Sequence, residues 1–141
     1  MKFWDSSALI PLVVPEPETR ALGALLRADP EVAAWWGSRL ECAAALARLE
    51  REGRVTAPNM AQARARLDLL ADQWVEISPT PQVREQAERL LRVHPLRSAE
   101  AHQLAAALVA SQHHPAGLEF VTIDQRLADA ARREGFRLLP A

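Results

Sequence analysis

The 141-residue sequence predicts an α/β protein, a three-layer α/β/α sandwich built on a short, mostly parallel five-stranded sheet. Two patterns carry that expectation. Five short apolar runs alternate with segments of helical periodicity, and strands separated by helices imply crossover connections and parallel pairing. The apolar runs are also continuous rather than alternating, as strands covered on both faces should be.

The strands are expected at 2–5, 31–36, 74–78, 118–123 and 136–139. Between the first two, the Pro-Glu-Pro-Glu stretch suits a helix N-terminus, and Leu22, Leu25 and Leu26 mark the helix that follows. Cys42, Leu46 and Leu49 form an i, i+4, i+7 stripe that Gly53 ends. Met60, Ala63, Leu67 and Leu70 mark a third helix leading to Trp74, and Val83, Ala87, Leu90 and Leu91 a fourth, ended by His94-Pro95. Ala101, Leu104, Ala105 and Leu108 mark a fifth, and Leu127, Ala130 and Ala131 a last one closed by Gly135. Trp35 and Trp36 read as core residues of the second strand. The length fits one domain over 1–141.

Composition narrows the function. A formal net charge of −1 argues against a broadly basic nucleic-acid-binding surface, though clustered arginines or a bound metal supply local positive charge. Lys2 is the only lysine. Cys42 is the only cysteine, which excludes an internal disulfide and suits a small buried apolar side chain in a reducing, cytoplasmic setting. No apolar run approaches the ~20 residues needed to span a bilayer, so no membrane role is expected.

Most acids have ordinary explanations. Glu85–Arg89, Glu88–Arg92, Glu50–Arg54 and Asp129–Arg133 have the spacing of helix-surface ion pairs. Asp5, Glu41, Glu100 and Asp124 differ. Asp5 ends the first strand, Asp124 stands at the end of FVTID, and Glu41 and Glu100 lie in first helical turns, at the margin of apolar stripes. Ligands of parallel sheets bind beyond the carboxyl ends of the strands. If the fold gathers these four carboxylates, they form a set of hard oxygen ligands suited to Mg²⁺ or Mn²⁺. Each also has a structural explanation. Ser38–Glu41 matches the Ser-x-x-Glu capping box, Ser98 is placed to cap the helix of Glu100 without that spacing, and Asp124 suits an N-cap. Ser6, Ser7 and Thr122 either orient the acids or cap helices. Arg39, Arg97 and Arg126 lie next to these acids and either meet phosphate or, the more ordinary reading for any one of them, are solvated surface arginines.

The order FWDSSAL, SRLECAAALARL, LRSAEAHQLAAAL and FVTIDQRLADAARREGF resembles the PIN-domain ribonucleases, most of all the VapC-like toxins of toxin–antitoxin pairs. The resemblance covers essentially the whole chain. It implies that Asp5, Glu41, Glu100 and Asp124 hold one or two divalent ions, with Asp5 as the central ligand. It further implies RNA as the substrate, a cognate antitoxin as partner and a homodimer. One position departs: the family usually carries Asp in its third motif, where this chain has Glu100. The extra methylene changes reach and angle, so lower metal affinity or a preference for Mn²⁺ is expected. Two other classes compete. A PIN-like module without catalysis would follow from lost metal geometry at Glu100. A receiver-type signalling domain would need adjacent acids near the first strand and a late lysine, which this chain lacks.

Overall fold

A computed structural model describes residues 1–141. Five parallel strands, β1 (Lys2–Trp4), β2 (Val32–Trp35), β3 (Val75–Ile77), β4 (Glu119–Val121) and β5 (Arg137–Leu139), form one sheet in the order β3-β2-β1-β4-β5. The chain runs outward from β1 to one edge, then returns to its other side. The direction of winding therefore reverses between β1 and β4, which opens a crevice at their carboxyl ends.

Alternation along the inner strands divides the core in two. Phe3, Ala33, Trp35 and Phe120 face one side and pack with α5 (Pro81–Val93), α6 (Ser98–Ala110) and α7 (Gln125–Arg133). Trp4, Val32, Ala34 and Val121 face the other and pack with α1 (Ser6–Leu9), α2 (Thr19–Ala28), α3 (Ser38–Arg51) and α4 (Ala57–Gln73). The inner strands β1 and β2 are buried throughout. The edge strands β3 and β5 are largely exposed, so continuous apolar character reports burial only in the middle of the sheet.

Helix ends follow local chemistry. Gly53 and Gly135 have φ of 70° and 104°, where a side chain is disfavoured. In each case the glycine N–H and the next N–H return to carbonyls of the last helical turn, closing α3 and α7. Lys2 is buried at the foot of the sheet, where Asp29 and Glu119 carboxylates lie 3.1 and 3.5 Å from its ammonium group.

Several expectations are corrected. The helix α1 and the 3₁₀ turn at Ile10–Leu12 follow β1 directly, a segment too short to show helical periodicity. None of the four i, i+4 ion pairs forms. Glu50 pairs with Arg64, Arg89 with Glu134 and Asp129 with Arg132, because partners on neighbouring elements or one residue nearer lie closer. Trp36 lies past the end of β2 and is 56 % exposed, whereas Trp35 is buried as expected. Leu91 is also exposed, one residue round the helix from buried Leu90.

Candidate active site at the carboxyl ends of the strands

Asp5 leaves β1 at its carboxyl end, with its backbone N–H bonded to Val121 O at 3.0 Å. The side chain is buried and caps the short helix α1. Its Oδ2 accepts from the Thr122 hydroxyl at 2.9 Å, from the Ser7 hydroxyl and from Ser7 N–H at 3.3 Å. Oδ1 has only a long contact, 3.5 Å to Ser6 Oγ. One oxygen is therefore anchored and the other is left available.

The anchor joins the two central strands. Thr122 Oγ1 also accepts from Asp124 N–H at 3.0 Å, and Ser7 Oγ from Ile123 N–H at 3.1 Å. Neither Ser7 nor Thr122 acts as a helix cap, and both orient Asp5. Valine at position 122 keeps the shape but removes both bonds. It should lower stability by about 2 kcal/mol, the scale of a lost hydrogen bond to a charged group, as read by thermal melts. Any activity that depends on Asp5 should fall about 10- to 100-fold.

Glu41 lies in the first turn of α3. The capping box with Ser38 does not form, because Gly37 is the N-cap and Ser38 the first helical residue, fully buried. Glu41 points instead across the crevice, accepting from Gln103 Nε2 at 2.9 Å and Ser6 Oγ at 3.3 Å. The same Gln103 nitrogen donates to Ser38 Oγ at 2.9 Å. Two acceptors facing one amide nitrogen dictate its orientation, since a flipped amide would set oxygen against carboxylate. Gln103 Oε1 is left buried without a protein partner.

Glu100 takes the role expected for Glu41. Arg97, not Ser98, is the N-cap of α6, and Glu100 Oε1 accepts from Arg97 N–H at 2.8 Å. The guanidinium offers no acceptor, so only the carboxylate half of a capping box exists. Arg126 stands 3.7 Å from the same oxygen. Asp124 caps α7, its Oδ1 accepting from Leu127 N–H at 3.1 Å.

Asp5, Glu41, Glu100 and Asp124 line one cavity of about 450 Å³, together with Ser6, Gln103, Arg48 and Arg97. A second hollow of about 500 Å³ shares Ser6, Ser7, Glu41 and Arg48 and runs on to Arg54. Burial pushes the Asp5 carboxyl up, against the Ser7 and Thr122 hydroxyls, and the Asp124 charge adds to the rise. Burial and then the Asp5 charge raise Glu41, while Gln103 opposes them. Glu100 is raised by burial and by Asp124. These are the signs of crowded negative charge. The donor set is all oxygen and matches a hard divalent cation. Even so, no three of the chain's acidic, histidine or cysteine side chains converge closely enough to ligate one ion. Glu100 and Asp124 each commit one carboxylate oxygen to a backbone N–H at the start of their own helix.

Of the expected arginines, Arg97 lines the cavity, Arg126 adjoins Glu100, and Arg39 is engaged with Asp68 at 2.8 Å. Gln103 and Arg48 were not singled out by sequence. Gln103 is a polar residue on the apolar face of α6, between Ala101 and Leu104, and that placement is the signal that marks it. Arg48 carries no such signal. Burial raises the Cys42 thiol to about 12, which makes it inert.

No protein-family model matches the chain, and no curated protein matches it. Solved structures do. A toxin–antitoxin complex from Klebsiella pneumoniae matches at a TM-score of 0.65 and 18 % identity, over 91 % of each chain. FitAcB from Neisseria gonorrhoeae matches at 0.65 and 17 %, over 98 % of this chain and 96 % of that one. PAE2754 from Pyrobaculum aerophilum matches at 0.64 and 21 %, over 97 % and 82 %. At these identities the likeness is one of fold, and the fold is the three-layer PIN-like architecture.

Proposed function

We propose that the chain is a divalent-metal-dependent ribonuclease and the toxin of a toxin–antitoxin pair. One observation carries the reading: four carboxylates from four separate segments line a single cavity at the sheet's carboxyl edge, with Arg48 and Arg97 on its walls. Asp5, Glu41, Glu100 and Asp124 would hold Mg²⁺ or Mn²⁺ only after their carboxylates draw together from the spacing seen here, and the bound ion would activate water and offset phosphate charge. The chain's own contributions follow from the contacts. Ser7 and Thr122 fix Asp5 so that Oδ1 faces outward. Gln103 and Ser6 hold Glu41 across the crevice. Arg48 and Arg97 make no ion pair within the chain and suit the RNA backbone. The raised carboxyls are better proton acceptors than exposed acids, which suits removal of a proton from the attacking water.

Two of the structures sharing the fold come from complexes, one described as toxin–antitoxin and FitAB as bound to a DNA fragment. They support an antitoxin partner here, and a homodimer and a cytoplasmic site of action belong to the same proposal. No helix is long and apolar enough to cross a membrane.

The test has two arms. Purified protein with single-stranded RNA should cut it in Mg²⁺ or Mn²⁺ and not in chelator. Induced expression should arrest growth, and co-expression of a small antitoxin protein, if one is encoded beside the gene, should relieve it. RNA left intact in both metals would remove the enzyme, and harmless expression would remove the toxin. A second reading, a PIN-like binding module without catalysis, draws on Glu100 being engaged with Arg97 N–H. Glu100→Asp decides between them. The shorter side chain gives up that bond, costing about 1 kcal/mol of helix stability. Under the nuclease reading it keeps or improves metal-dependent cleavage, whereas under the binding reading neither form cuts.

A further inference from the structure

Beside the carboxylate cavity lies a separate cleft of about 320 Å³ whose walls include Trp35, Trp36, Gly37, Thr80, Arg84 and His102. Its chemistry is unlike the cavity's. The His102 ring stacks on Trp35, centroids 5.3 Å apart and planes 7° from parallel. Trp36 stands edge-on to Trp35 at 6.4 Å and 73°, and is 56 % exposed. Its position is fixed from the backbone, since Trp36 N–H bonds to Ile77 O at 3.0 Å. Gly37 keeps the space open, because a Cβ there would lie 2.5 Å from Trp35 Nε1. The indole and imidazole groups that bond to protein atoms belong to Trp74, His94 and His114, so Trp35 Nε1 and the His102 nitrogens have no protein partner. Arg84 is exposed and joins no ion pair.

We infer that this cleft seats a nucleobase of the RNA strand, beside the nucleotide whose phosphate reaches the carboxylates; the inference rests on the ribonuclease reading. A flat, exposed indole with unpaired ring donors at its base suits stacking plus edge recognition of a base. The unpaired Arg84 suits the attached phosphate. The placement fits as well. Gly37 begins the helix that carries Glu41, and His102 lies between Glu100 and Gln103 on α6. Cleft and cavity therefore flank the same two helix starts, and one strand lying along them would meet both.

The test measures binding and cleavage separately. In an Asp5→Asn background, which prevents cutting, a short fluorescent single-stranded RNA is titrated at low salt. Adding Trp36→Ala should weaken binding roughly 5- to 150-fold, the scale of one lost base stack, while Trp36→Phe retains most of it. In the otherwise unaltered enzyme, Trp36→Ala should raise KM and flatten base preference at one position beside the cut, with kcat little changed. Unchanged melting of Trp36→Ala excludes a folding defect. Equal RNA affinity for the three proteins overturns the inference, and if wild type still cuts RNA, the nuclease reading stands without it. A Trp36→Ala protein that changes from dimer to monomer in sedimentation while binding RNA normally also overturns it, assigning the cleft to a second copy of the chain. RNA bound by no variant overturns both.

Discussion

Asn in place of Asp5 is expected to reduce metal-dependent RNA cleavage by about 1,000-fold or more while raising the melting temperature of the metal-free protein at neutral pH. The two effects share a cause. Asp5 is buried, and desolvation and the nearby Asp124 charge raise its carboxyl, so that holding it ionised works against the fold. That charge is unfavourable to the fold and useful only to a cation. Asn keeps one carbonyl oxygen to accept from Ser7 and Thr122, so the local hydrogen bonds survive. What disappears is the anion at the most rigid position of the site, and with it the several kcal/mol a held metal contributes to transition-state stabilisation. At 1.4 kcal/mol per decade of rate, this corresponds to about three decades. Cleavage assays in excess Mn²⁺ and calorimetric melts in chelator test both parts. A variant that cuts normally, or one that loses activity because it unfolds, contradicts the account.

Under the proposed metal-dependent reading, a bound divalent ion should itself stabilise the fold, and more so at higher pH. Asp5, Glu41 and Glu100 all have folded-state pKa values above the ordinary carboxylate range. The folded chain therefore binds more protons than the unfolded one between the ordinary and the raised values. Across that window stability falls as pH rises. Glu134 works oppositely. Burial pushes its carboxyl up, but Arg89 and His94 outweigh that and lower it, so its contribution is lost only as pH falls below the ordinary range. Asp29, lowered to about 2 by the N-terminal ammonium and then Lys2, behaves like Glu134. The metal-free protein should thus melt highest in mildly acidic solution and lose stability toward neutrality. Mn²⁺ at ten times its dissociation constant should restore about 1.4 kcal/mol, several degrees in a chain of this size, at pH 7.5. The increment should shrink toward pH 4.5, as the raised carboxyls of Asp5, Glu41 and Glu100 take up protons, and be absent in Asp5→Asn at any pH. A shift of equal size at both pH values would show that the ion binds elsewhere.

The order of elements and the positions of Asp5 and Asp124 were legible because both depend on short-range pattern. A carboxylate that ends an apolar run before a helical segment has its place set by the strand, and parallel sheets expose that end. Glu41 and Glu100 were singled out by position and both line the cavity, yet their expected capping roles were exchanged. The Ser-x-x-Glu spacing at Ser38 favours a box locally, but Ser38 is buried and bonded to Gln103, 65 residues away, which draws Glu41 across the crevice. Glu100 meets no such donor and bonds back to Arg97. The surface ion pairs failed for a related reason. Spacing of four residues brings side chains near each other by little more than a few tenths of a kcal/mol, and a partner on another helix easily displaces it.

The amino-acid sequence by itself determined the alternation of strand and helix, the continuous burial of the inner strands and the identity of four acids at turns, because these follow from periodicity and from the reach of neighbouring residues. Only the tertiary structure decided which oxygens face the crevice, which guanidiniums stand free beside them and that Trp36 lies open to solvent next to a stacked Trp35 and His102. Those outcomes depend on contacts between residues far apart in the chain. Their strength is set by distance and burial, quantities that exist only once the sheet and its two helical layers have closed.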